Sequence, residues 1–250
     1  MFAAFQKKLM QFIGPLKIIT GSYSGTVLEL NSNSKNSSQI IDVRVDDVSK
    51  FIITNTGDIY SYGDYNLEGN FRLVGNGTVF DDLMFPATGI NPSGSPTAPV
   101  LDNNNGWLQF DPNIQQVIAI QVQLPHRWKE ESLLYPHIHW SKSDYAAGNV
   151  VWQLEYKWLP IGDVMDTDWT TTSISTPISA TPDTNTARKH LISSFPEIDT
   201  TNKHISDMII MKLSRLATDS ADTYSSNALM FQFDIHYEID SFGSNIEFSK

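Results

Sequence analysis

The chain is 250 residues long, 40% hydrophobic and 18% charged, which suits one large β domain or a mid-sized domain with an appendage. Its formal net charge of -11 leaves no cationic cluster able to displace phosphate counterions, so nucleic-acid binding is excluded. Cysteine is absent, which removes disulfides and thiolate metal sites, and 11% aromatics beside abundant Ser, Thr, Asn and Asp favour strands over helix bundles.

At the start of the chain, Phe2, Phe5, Leu9 and Phe12 recur at three- and four-residue spacing around Gln6, Lys7 and Lys8. That stripe predicts a short amphipathic helix within residues 1–20, ended by Gly14-Pro15. Three turns of isolated helix are marginal in water, so the element is expected to dock, on its own chain or as an anchor in a partner assembly. Lys7 and Lys8 interrupt the apolar run and no A-x-A-like cleavage site follows, so the segment reads as part of the mature protein. No apolar run reaches the ~20 residues needed to cross a bilayer, and membrane insertion is not expected.

Residues 21–80 hold short β-prone runs, Thr26–Leu30, Ile40–Val45, Phe51–Thr54 and Ile59–Tyr62, separated by Asn/Ser/Asp/Gly turns. Hairpins this short bury too little to stand alone, and identical chains winding together would solve the problem. The Asn/Ser-rich turns and the phrase KFIITNTGDIYSYG resemble the fibre-like segments of phage structural proteins. That resemblance implies a slender trimerising segment. Gly, Pro, Ser and Asn then crowd the stretch 81–105, read as a connecting surface region.

From about residue 106 the pattern changes. Ile118, Ile120, Val122 and Leu124 alternate with polar or small residues. So do Val150, Trp152, Leu154, Tyr156 and Trp158, and the shorter run Ile209, Met211 and Leu213. Leu229, Phe231, Phe233, Ile235, Tyr237 and Ile239 alternate with Met230, Gln232, Asp234, His236 and Glu238. Period-two patterning predicts long strands with one buried face, and the lack of intervening helices predicts antiparallel pairing. The expected fold over 106–250 is an antiparallel β-sandwich, jelly-roll-like, giving a mainly β chain.

The same alternation places Ile138 and Trp140 on one face of YPHIHW, and His137 and His139 on the other. His236 lies opposite Phe233 and Ile235, beside Asp234 and Glu238. A metal would need His137, His139 and a further ligand such as His236 to converge, whereas the bland alternative is a set of surface or interface histidines. No G-x-S-x-G elbow, phosphate loop, dinucleotide fingerprint or H-E-x-x-H is present, and no catalytic residue is assigned. Asp81-Asp82 would point to opposite faces of an extended chain, unlike a glycosidase pair. Trp152 and Trp158 fit a buried face, leaving Trp107, Trp128 and Trp169 as candidates for stacking on a glycan.

The phrases LPHRWKEESLLYPHIHW, VVWQLEYKW and FQFDIHYEIDSFGSNIEF resemble a recurrent module of tailed-phage virion and fibre proteins, spanning about residues 80–250. His137, His139 and Trp140 match its HVHW phrase, and His236 with Tyr237 its closing one. The resemblance implies a homotrimeric head fibre or capsid decoration protein located in the virion, non-enzymatic and without a cofactor. Its implied partners are sister copies and, through the N-terminus, other virion proteins. A tail or neck fibre that recognises cell-surface glycan is the alternative. A metal-dependent, cupin-like enzyme is the reading from a different class.

Overall fold

A computed structural model describes residues 39–46, 48–64, 73–74, 77, 79–90, 92, 98–162, 164–178 and 189–247. The expected helix within 1–20, with Phe2, Phe5, Leu9 and Phe12, and the run Thr26–Leu30 lie outside the described residues. Two units divide the chain, Met1–Glu68 and Gly69–Lys250.

In the first unit, β1 (Gln39–Val45), β2 (Val48–Thr54) and β3 (Ile59–Ser61) form an antiparallel three-stranded sheet. The turn between β2 and β3 closes on Thr54 and Asp58, whose backbones pair at 2.9 Å, with Gly57 supplying the positive φ of 90°. Register places Ile41 opposite Ile53, Val43 opposite Phe51, and Ile53 opposite Ile59, so one face is a continuous apolar patch. Among its described residues, Ile52 alone is a buried hydrophobic.

The second unit is an antiparallel β-sandwich. Its strands are β4 (Val79–Pro86), β5 (Val100–Asp102), β6 (Trp107–Phe110), β7 (Gln116–Gln123), β8 (Leu134–Lys142), β9 (Gly148–Leu159), β10 (Thr170–Ile178), β11 (Leu191–Ser194), β12 (Met208–Arg215) and β13 (Ala228–Ile239). One sheet has the order β10-β9-β12-β7. The other runs β11-β8-β13-β6-β5, and β4 also pairs with β13, on the stretch beyond β6.

The alternation seen in the sequence generates the core. Val150, Trp152, Leu154, Ile209, Met211, Leu213, Ile118 and Ile120 are buried from one sheet, and Ile138, Trp140, Phe110, Phe233 and Ile235 from the other. Trp152 bridges the two: its ring meets Phe110 edge-on at 5.1 Å and Trp140 at 5.6 Å. Such aromatic pairs contribute about 0.5–1.5 kcal/mol each beyond the area they bury. The indole Nε1 of Trp140 donates to Ser193 Oγ at 2.9 Å, and Ser193 Oγ lies 2.7 Å from Thr176 Oγ1 of β10. That chain of hydrogen bonds ties the β11 edge of one sheet to the β10 edge of the other.

Two expectations are corrected. Residues 81–105 are not simply a connection: β4 pairs with β13 over eight residues, and β5 pairs with β6. The β4 sequence VFDDLMFP turns Leu83 and Phe85 onto the core, and the Gly/Pro/Ser-rich part lies beyond it. In β13, Leu229 and Phe231 do not continue the inward row of Phe233. A register shift between Met230 and Gln232 inserts one residue, so Ala228 and Met230 face inward before it and Phe233, Ile235 and Tyr237 after it. A bulge reverses the face of every residue on one side of it.

Candidate functional site

The bulge directs Phe231 away from the core, onto the outer face of the β8–β13 sheet. There its ring packs against Trp107 at 5.2 Å and His190 at 5.8 Å. The same face receives His137 and His139 from β8, because Ile138 and Trp140 take the inward positions between and beyond them. Strands β8 and β13 are neighbours, a relationship the sequence did not disclose, and their register sets Asp234 opposite His137 and Gln232 opposite His139.

Side chains from three places therefore converge. His137 Nε2 lies 3.0 Å from His139 Nε2. Asp234 Oδ2 lies 3.2 Å from His139 Nε2 and 3.8 Å from His137 Nε2. On the far side of the His139 ring, Nδ1 sits 2.7 Å from Nε2 of His190, just before β11. The Nδ1 of His137 is 3.4 Å from the Tyr135 carbonyl oxygen. Gln232 Nε2 donates to Asp234 Oδ2 at 2.9 Å. Asp234 Oδ1 is buried with no hydrogen-bond partner. Burial pushes the His139 imidazole below its usual range; the Asp234 carboxylate pulls the other way, and the rings of His137 and His190 push down again. The neutral ring is favoured.

His236 occupies a second layer. Its ring stacks edge-on against His137 at 4.5 Å, while its Nε2 faces Asp82 Oδ1 of β4 at 3.1 Å. Among the described residues, the atoms that cluster closely enough to hold one ion are those of His137, His139 and Asp234. Asp81 and Asp82 diverge as expected: Asp81 pairs with Arg127 and the Tyr237 hydroxyl, Asp82 with His236. A groove of about 300 Å³, lined in part by Tyr135, Ile192, Glu197 and His236, opens beside His137.

Asp234 and His190 were not among the residues singled out from the sequence as ligands. For Asp234 the signal was its place two residues before His236, on the same strand face. His190 carries none, since only folding brings it beside His139.

The tryptophans part company. Trp128 is fully buried, packed in the core and bridged to Ile239, so its faces are closed to a glycan. Its neighbours Arg127 and Lys129 reach outward to Asp81 and Glu238, which is why a charged flank misleads here. Trp169 is half-buried with Lys212 Nζ 3.7 Å and Lys157 Nζ 5.1 Å from its ring centre. Trp107 is half-buried against Phe231.

No family model matches the chain, and no curated protein matches it by sequence. Solved structures with a similar arrangement include the mosquito-larvicidal Cry4Aa toxin from Bacillus thuringiensis, at 12% identity and a TM-score of 0.40, covering 63% of this chain and 23% of that one. A CBM35 from Cellvibrio japonicus aligns at 10% identity and TM-score 0.33, covering 68% of this chain and 99% of the other. CBM28, a module specific for non-crystalline cellulose, aligns at 9% identity and TM-score 0.30, covering 69% and 80%. The chain spans less than a quarter of the toxin's length, and likenesses this slight carry no argument about function.

Proposed function

We propose that the chain is a structural protein of a tailed-phage virion: a homotrimeric head fibre or capsid decoration protein that projects the β-sandwich from the particle. The observation that carries the reading is the three-stranded sheet of the first unit. Its face of Ile41, Val43, Phe51, Ile53 and Ile59 leaves Val43 49% and Ile59 57% exposed, with Val45 and Val48 also exposed at the hairpin end. A sheet that thin is stabilised when its apolar face is covered, and sister copies supply the cover without any foreign partner. The fibre-like phrase KFIITNTGDIYSYG lies in this sheet, and the module resemblance covers the sandwich. The sequence-predicted helix of residues 1–20 is the proposed attachment to other virion proteins, and the reading includes no catalytic role.

Sedimentation equilibrium tests it. The expected particle has about three times the 28.1 kDa chain mass. A Val43→Asp/Ile59→Lys variant is expected to sediment as a monomer while its sandwich keeps the wild-type near-ultraviolet signal. Wild-type protein that stays monomeric at high concentration removes the proposal. The alternative, a tail or neck fibre that holds host glycan, draws on the half-buried rings of Trp107 and Phe231 on the outer sheet face. A glycan array probed with the confirmed oligomer separates the two.

A further inference from the structure

We propose that His137, His139 and Asp234 form a binding site for one divalent transition-metal ion of the zinc class. The proposal rests on the outer face of the sandwich alone and is independent of the trimer.

Edge lengths are the first ground. Two imidazole nitrogens and one carboxylate oxygen lie 3.0, 3.2 and 3.8 Å apart. Ligands about 2.0–2.1 Å from a tetrahedral centre are separated by about 3.3–3.4 Å, so these atoms already approximate one face of such a tetrahedron. The second ground is the proton inventory. Nδ1 of His137 faces only a carbonyl oxygen, and Nδ1 of His139 faces the Nε2 of His190, which can accept. Protons placed on both Nδ1 atoms satisfy those contacts and leave both Nε2 atoms as lone pairs directed at each other and at a carboxylate. This tautomer is the one a metal-ligating imidazole needs, with an acceptor behind the ring to fix it.

In that tautomer no proton lies between the two Nε2 atoms, and one cation among them and the Asp234 carboxylate would take up all three lone pairs. Asp234 is the third ground. Its side chain is only 6% exposed, and its Oδ1 has no donor at all. A buried carboxylate oxygen left unpaired is costly, and a cation beside the carboxylate offsets that cost. Two imidazoles select zinc-like ions over calcium or magnesium, which prefer oxygen ligands throughout. The groove beside His137 provides a route in.

The test uses the untagged full chain stripped with a chelator, titrated with Zn²⁺ in a calorimeter and with Co²⁺ by visible absorption. One equivalent per chain is expected, with an intense d–d band for four-coordinate cobalt. His139→Ala and Asp234→Asn should each weaken Zn²⁺ binding about 100-fold or more, and His190→Gln about tenfold through loss of its support to His139. His204→Ala, a histidine elsewhere on the surface that pairs with Glu130, should change nothing. Should Asp234→Asn fail to fold, His139→Gln, at a position less deeply buried than Asp234, decides in its place. Absence of stoichiometric binding to the stripped wild type overturns the proposal. So does an affinity that His139→Ala and Asp234→Asn, or His139→Gln in its place, leave unchanged.

Discussion

Arg215 and Asp222 form a bidentate ion pair from which solvent is fully excluded, Nη2 to Oδ1 at 2.8 Å and Nε to Oδ2 at 3.0 Å. The guanidinium also donates to the carbonyls of Phe110, Ser226 and Tyr224, and Asp222 Oδ2 accepts from the backbone of Val151. One buried cation thus gathers β6, β9, β12 and the loop that leads into β13. Asp222→Asn removes the compensating charge but keeps the shape, leaving an unpaired cation in the interior. Loss of about 3–5 kcal/mol is expected, read as a fall in the urea midpoint with unchanged slope. A shift below about 1 kcal/mol would show that water reaches the pair after all.

Gly148 begins β9 at φ +155°, with the backbone of Tyr224 so near that a Cβ would lie 2.7 Å from its N and Cα. Backbone cannot yield as a flexible side chain does. Gly148→Ala is expected to destabilise by about 1–3 kcal/mol from overpacking, added to the conformational strain. Gly162→Ala provides the comparison: its φ is +77° and no atom lies within 4 Å of the added Cβ. That variant should lose only about 1–2 kcal/mol, from conformation alone. Equal losses in denaturant titrations would mean that crowding at Tyr224 is not the cause.

Tyr237 predicts an alkaline limit to stability. Its phenol is raised to about 12, chiefly by burial and also by Asp81, while Arg127, donating at 2.7 Å, pulls it down in part. The folded state therefore holds this proton more tightly than the unfolded chain, whose tyrosines titrate near 10. The resulting stabilisation is complete below pH about 10 and is lost as pH rises through about 12. Tyrosinate absorbance should show a late-titrating fraction among the nine tyrosines, to which Tyr156 and Tyr224, also raised by burial, contribute beside Tyr237. Tyr237→Phe should flatten the stability loss in that window, and a wild-type chain whose tyrosines all ionise near 10 would contradict the assignment.

Much of this architecture was legible because period two leaves a plain trace. Val150, Trp152 and Leu154 read as a buried row, and the structure buries them. Where one residue breaks the period, reading fails: the bulge beside Phe231 sends an aromatic that looked like core to the outer face, next to His190. Trp128 failed for another reason, since it sits outside any long strand and its burial depends on Ile239, more than a hundred residues away. For the candidate site, the shared face of His137 and His139 follows from spacing alone. Asp234 joins them only through the pairing of β8 with β13, a nonlocal choice that two similar apolar rows cannot specify in advance.

Zn²⁺ offers a stability experiment distinct from the binding one. The proposed ligands lie on β8 and β13, whose pairing runs through the centre of the six-stranded sheet. An ion that binds the folded chain and not the unfolded one adds RT ln(1 + [L]/Kd), about 2.7 kcal/mol at a hundredfold excess over Kd. For a domain of this size that corresponds to a rise in Tm of roughly 5–10 °C. The rise should vanish with chelator and in Asp234→Asn. It should also shrink as pH falls, because both imidazoles must be unprotonated to bind. Magnesium at the same concentration should give no rise, and an equal effect from both ions would mark it as general screening of a chain of net charge -11.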